Sequence, residues 1–246
     1  TLIDPDKQTP EVAAKRALVA VECGTAAIFV GGSTDTGSNI VDATCEAIQD
    51  ALELATFAAS QHPDADEDKW DVPVILFPGG AHAMSPKADG ILFMMLMNST
   101  SRRFLIEEQL TGAPYIAKAG LQTIPTGYVV CAPGGAVGEV GEAKLIEAGD
   151  GELVSAYCQT AEMYGFTTVY LEAGSGASSP VSTDLIRIAK SSMDCTLIIG
   201  GGIRTLEQMK AAAEAGADYI VTGTITEEFD DLKLLKERLQ SLIGVL

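Results

Sequence analysis

The chain predicts an α/β protein built as a single (β/α)8 TIM-like barrel, on three observations. Its 246 residues suit one barrel domain, eight short apolar runs alternate with longer amphipathic segments, and one strand-and-loop unit recurs along the chain. The runs are near-continuous in apolar side chains, as in strands buried on both faces, and their alternation with helices makes the sheet parallel. A doubly wound open sheet is the alternative. No internal linker divides residues 1–246, which read as one domain.

The first strand, "TLID", leaves Asp4 at its exit, and Thr9, Pro10 and Glu11 then supply an N-cap, a first-turn proline and an acidic second residue for the helix "PEVAAKRALVAVEC". "AAIFVGG" at 26–32 is the second strand and "NIVDATCEAIQDALELATFAAS" the helix after it. The acidic, proline-bearing "QHPDADEDKW" reads as an exposed connection. "VPVILFP" at 72–78 and "GILFMMLM" at 90–97 are the third and fourth strands; Arg102 and Arg103 beyond them either begin a helix or meet diphosphate. "GYVVCA" at 127–132 is the fifth. The helix "DGELVSAYCQTAEMYG" leads to the sixth, "TTVYLEA" at 167–173. "TLIIGGG" at 196–202, the helix "TLEQMKAAAEAG" and "DYIVTG" at 218–223 complete the series.

The recurring unit is a helix-ending glycine, a short apolar strand and a small-residue loop. Gly24 leads to Gly31 and Gly216 to Gly223 after the same seven positions, but that step from Gly165 lands on Glu172. A carboxylate therefore stands where two other units carry glycine, at the carboxyl-terminal rim where barrel enzymes place their chemistry.

Net charge is −18, which excludes a nucleic-acid surface and attraction to anionic lipid. No apolar stretch is long enough to span a bilayer, the amino terminus lacks signal-peptide features, and five scattered cysteines suggest neither disulfides nor a thiolate metal site. The chain reads as cytoplasmic. His62 and His82 suggest no triad and no zinc site.

An anionic ligand must then be held by local devices. "AGSGA" at 173–177, "GGGIRT" at 200–205 and "TGTIT" at 222–226 follow the sixth, seventh and eighth strands, and each offers bare backbone amides. Glycine lets the main chain approach a ligand and adopt positive φ, so three such loops predict a phosphate site that spends no lysine. Ser175 and Thr224 either add hydroxyl donors or cap the helices that follow. On the first loop, Asp4 and Asp6 offer carboxylates to a hard cation such as Mg2+, or belong to a simple Asp-Pro turn; Ser33, at the exit of the second strand, adds a neighbouring oxygen.

"TLIDPDK", "VGGST", "YLEAGSGA", "GGGIR" and "TGTI", in this order and spacing, resemble the geranylgeranylglyceryl phosphate synthase family, which also includes bacterial heptaprenylglyceryl phosphate synthases. "SPKADGILFMMLMNS" and "IPTGYVVCAPGG" extend the resemblance over essentially the whole chain. It implies a Mg2+-dependent prenyltransferase that joins geranylgeranyl diphosphate to the 3-hydroxyl of sn-glycerol 1-phosphate, forming the first ether bond of archaeal lipids and releasing diphosphate. By motif, Asp4 and Ser33 bind Mg2+, and Tyr170, Glu172, Ser175, Gly176, Gly201, Gly202, Gly223 and Thr224 hold glycerol phosphate, with Glu172 as base. Leu2 stands where bacterial and some archaeal members carry lysine, which suggests the archaeal branch without it. The resemblance also implies a homo-oligomer, dimer or hexamer. Another phosphate-binding barrel enzyme and a non-catalytic phosphometabolite-binding barrel are the competing readings. Methionine-rich "ILFMMLMN" with "RRFLIEEQL" is the place for part of a prenyl groove, or ordinary core.

Overall fold

A computed structural model describes residues 1–32, 36–63 and 65–243. Its eight strands are β1 (Leu2–Ile3), β2 (Ile28–Val30), β3 (Val74–Leu76), β4 (Gly90–Leu96), β5 (Gln122–Val130), β6 (Thr168–Glu172), β7 (Thr196–Gly200) and β8 (Tyr219–Val221). They form one sheet in sequence order, β1 to β8. The helices are α1 (Pro10–Glu22), α2 (Ser38–Ser60), α3 (Glu108–Ala119), α4 (Gly135–Val140), α5 (Gly151–Met163), α6 (Thr183–Ser191), α7 (Leu206–Glu214), α8 (Thr224–Glu227) and α9 (Leu232–Ile243). Parallel pairing with alternating helices is the (β/α)8 TIM-like barrel plan that the sequence predicts.

The chain divides into two compact units, Thr1–Leu92 with Gly112–Thr123 and Ile225–Leu246, and Phe93–Thr111 with Ile124–Thr224. In the first, β1, β2 and β3 pair in parallel, with Leu2 beside Phe29 and Ile28 beside Val74. Thr9 caps α1 as expected: its Oγ1 accepts Val12 N–H at 3.4 Å, and Pro10 is the first helical residue. Ala13, Ala17, Ala20 and Val21 face inward at helical spacing, and α9 answers with Leu235, Leu239 and Leu242. Ile3, Ile28, Ile48, Leu76, Ile91 and Leu92 are among the large side chains wholly withdrawn from water there.

The second unit pairs β5 with β6, β6 with β7 and β7 with β8. Tyr170, Leu171, Leu185, Ile186 and Leu197 fill its core. Asn98 fastens the end of β5: its Oδ1 accepts Val130 N–H at 3.0 Å and its Nδ2 donates to Val130 O at 2.8 Å.

Several boundaries differ from the sequence expectation. β5 begins at Gln122, five residues before the expected start at Gly127, because Gln122–Pro125 are exposed or half-buried and so lack an apolar signature. The segment after β4 opens with a π-helical stretch, Arg103–Glu107, that runs into α3. Arg102 pairs with Glu107 and Arg103 with Glu108, a five-residue spacing suited to the wider turn, so both arginines belong to a helix start. Short α6 lacks a long periodic run to announce it, yet Ser182 caps it and Leu185, Ile186 and Ala189 anchor it.

Candidate active site

Glu172 is the last residue of β6, and Tyr170 lies two residues earlier on the same face. The register sets Tyr128 of β5 beside Tyr170 and Gly200 of β7 beside Glu172. The two tyrosine rings meet at 5.2 Å between centroids, tilted 53°. Gly200 is required here, since a Cβ on it would collide with the Tyr170 hydroxyl.

Glu172 is 5% exposed, and its carboxylate is held from three directions. Its Oε1 accepts Gly174 N–H at 2.6 Å, its Oε2 accepts the Tyr128 hydroxyl at 3.2 Å, and the Tyr170 hydroxyl also bonds it. Burial pushes its pKa above the ordinary glutamate range, while those three donors pull the other way. The Tyr128 phenol is pushed well up by burial and then by the nearby Glu172 charge, so it remains a proton donor to the carboxylate. Cys131, one strand over, is pushed up to about 12 by burial, which leaves a thiol and no nucleophile.

A carboxylate raised in the fold contributes stability that is present below its unfolded pKa of about 4.3 and lost as pH rises through the folded value. Ionised Glu172 therefore costs stability at neutral pH. Glu172→Gln is expected to melt above the wild type at pH 7, with the gap shrinking toward pH 4 in circular dichroism melts; a lower midpoint at pH 7 would contradict this electrostatic account.

Two of the glycine loops touch this carboxylate, through Gly174 after β6 and Gly201 after β7. Gly174 sits at φ +102°, and a four-residue turn closes from Ala177 N–H to Gly174 O at 3.1 Å, with exposed Ser175 and Gly176 at its tip. After β7, Gly201 and Gly202 sit at φ +82° and +71°. A Cβ on Gly201 would strike Glu172 Oε1 and Gly174, and one on Gly202 would lie 2.5 Å from Ser179 O. Gly223 follows β8, and Thr224 is the first residue of α8. The structure thus brings Tyr170, Glu172 and Gly201 into contact range and sets Ser175 and Gly176 on the adjoining turn. Tyr128, Gly174, Gly200 and Arg204 are neighbours that motif spacing alone passes over.

In the first unit, Asp4 caps a short 3-10 turn, Pro5–Lys7, by accepting Asp6 N–H at 2.9 Å. Burial raises its pKa, with the Asp6 amide opposing and the Asp6 charge adding to the rise. Glu227 is raised by burial and then by Asp4, so the two carboxylates feel each other. Ser33 lies outside the described residues. Among the described residues no three His, Cys, Asp or Glu side chains gather into a cage. Asp4 and Glu227 supply carboxylate oxygens, the donor type a hard cation takes when it keeps most of its waters.

The geranylgeranylglyceryl phosphate synthase of Methanococcoides burtonii is 43% identical over 244 residues, covering 99% of this chain and 92% of its own. That of Methanothrix thermoacetophila is 42% identical over 233 residues, 94% of this chain and 84% of its own. The crystal structure of (S)-3-O-geranylgeranylglyceryl phosphate synthase from Thermoplasma acidophilum, in complex with substrate sn-glycerol-1-phosphate, superposes with a TM-score of 0.86 at 39% identity, over 99% of this chain and 90% of that one. With the PcrB family model matching residues 1–239 as well, the chain belongs to the PcrB family, that of the geranylgeranylglyceryl phosphate synthases.

Proposed function

We propose that the chain joins the prenyl group of geranylgeranyl diphosphate to the 3-hydroxyl of sn-glycerol 1-phosphate. The observation that carries this reading is the buried Glu172 carboxylate, raised in pKa and bordered by glycine loops at the strand ends. Amides of the loops at Ser175–Gly176, Gly201–Gly202 and Gly223–Thr224 hold the phosphate, and hydroxyls of Ser175 and Thr224 supplement them. Tyr170 and Tyr128 orient Glu172 against the glycerol hydroxyl.

As the bond between the glycerol O3 and the allylic C1 forms, Glu172 takes the hydroxyl proton. The bond from C1 to diphosphate breaks, and its electron pair leaves with the diphosphate. Asp4, with Ser33, would hold Mg2+, which when bound neutralises the charge on the departing group. Asp4→Asn is expected to raise the Mg2+ concentration for half-maximal activity at least about tenfold. Calorimetric titration of Mg2+ checks the same change without turnover, and unaltered metal binding would remove Asp4 as ligand.

For the prenyl chain, β4 offers Phe93, Met94 and Met95, half-buried where Gly90–Leu92 are buried. Among the described residues no helix is long and apolar enough to cross a membrane. Leu54 and Phe57 stand exposed one turn apart on α2, the kind of apolar face that assembly into a homo-oligomer buries.

Thermal stabilisation by glycerol phosphate enantiomers tests the substrate reading. At about 100 times Kd a true ligand adds about 2.7 kcal/mol. The 1-phosphate is expected to raise the melting point and the 3-phosphate to do so far less; equal shifts would leave only a general phosphate site.

A further inference from the structure

One guanidinium grips the turn that follows β6. Arg204 Nη2 donates to Gly176 O at 2.9 Å, and Nη1 donates to Ala177 O at 2.8 Å. At its other end the same turn is tied by Gly174 N–H to Glu172 Oε1 at 2.6 Å. Gly176 is third in the turn at φ +69°, the position that demands positive φ. A trans peptide sends its C=O and N–H to opposite sides, so fixing the Gly176 carbonyl also fixes the Ala177 amide, which closes the turn on Gly174 O at 3.1 Å and so holds the Ser175 and Gly176 amides at the tip in one orientation. Without such a hold, ordering this run of small residues would draw on the binding energy of the ligand.

We infer that Arg204 is a positioning residue for sn-glycerol 1-phosphate: it sets the turn Gly174–Ala177 in its phosphate-receiving form before the ligand arrives. The inference rests on the reading of these loops as the glycerol phosphate site. Its role calls for arginine, because a planar fork supplies two donors in fixed directions while an ammonium supplies a single point charge.

The test combines calorimetric titration of sn-glycerol 1-phosphate with steady-state kinetics on wild type, Arg204→Ala and Arg204→Lys. Arg204→Ala is expected to raise Kd and KM for glycerol phosphate about tenfold, with kcat at saturation and KM for the prenyl diphosphate within about twofold of wild type. Lysine is expected to recover at most part of the loss, and millimolar guanidinium to restore the alanine variant toward wild type. Unchanged Kd in both variants, or a fall in kcat with KM unchanged, would overturn the inference. Should the alanine variant melt below assay temperature, the lysine variant decides: weakened binding with a wild-type melting point supports the role, and wild-type binding overturns it. A wild type that binds no glycerol phosphate overturns the site reading itself, a result distinct from equal binding by all three proteins.

Discussion

Glu172→Gln is expected to fold, to bind sn-glycerol 1-phosphate within about threefold of wild type, and to lose about 10²–10⁴ in kcat, the range ascribed to a positioned general base. Glutamine keeps the length and the acceptor for Gly174 N–H, so the loop geometry survives. What it lacks is a site for the glycerol proton. Single-turnover ether formation beside calorimetric binding separates the two effects. A wild-type rate in this variant would remove the base, while lost binding with an intact chemical step would recast Glu172 as a ligand only. In the wild type the acidic limb of the rate profile belongs above the usual glutamate range, since burial raises the group and only its ionised form accepts a proton.

Gly201→Ala carries the second large effect. The new Cβ meets Glu172 Oε1 and the backbone of Gly174 at a residue whose φ is +82°. Neither neighbour is a flexible side-chain end free to swing away, because both are tied to each other by hydrogen bond. Loss of about 2–4 kcal/mol is expected from strain and collision together, or about 5–15 °C in the melting midpoint. Gly176→Ala is the matched control: its φ is also positive, at +69°, but nothing lies within 4 Å of the added Cβ. That variant is expected to lose only the backbone strain, about 1–2 kcal/mol. Equal losses at the two positions would show that conformation and not crowding selects glycine at Gly201.

Much of this was legible in the sequence because burial on both faces leaves an apolar signature. All eight strands overlap the apolar runs, and the Thr9 cap follows from local rules that tertiary contacts do not alter here. β5 shows the limit, since Gln122–Pro125 extend as strand while exposed or half-buried, and extension without burial leaves no trace in composition. A break in a repeat marks Glu172. Nothing comparable marks Tyr128, because its link to Glu172 depends on strand register, which spacing within one segment does not encode. Arg204 was hidden likewise: it acts through main-chain carbonyls of another loop, whose identity no residue type announces.

The central claim, that Glu172 and the glycine loops form the site of ether-bond formation, is tested most directly by product analysis. Geranylgeranyl diphosphate is incubated with sn-glycerol 1-phosphate or its 3-phosphate enantiomer, each with Mg2+ and with chelator. Ether product from the 1-phosphate with Mg2+, and from no other combination, is the predicted result. Absence of product from every combination, with glycerol phosphate still bound, would contradict it and leave a barrel that binds phosphate without this chemistry.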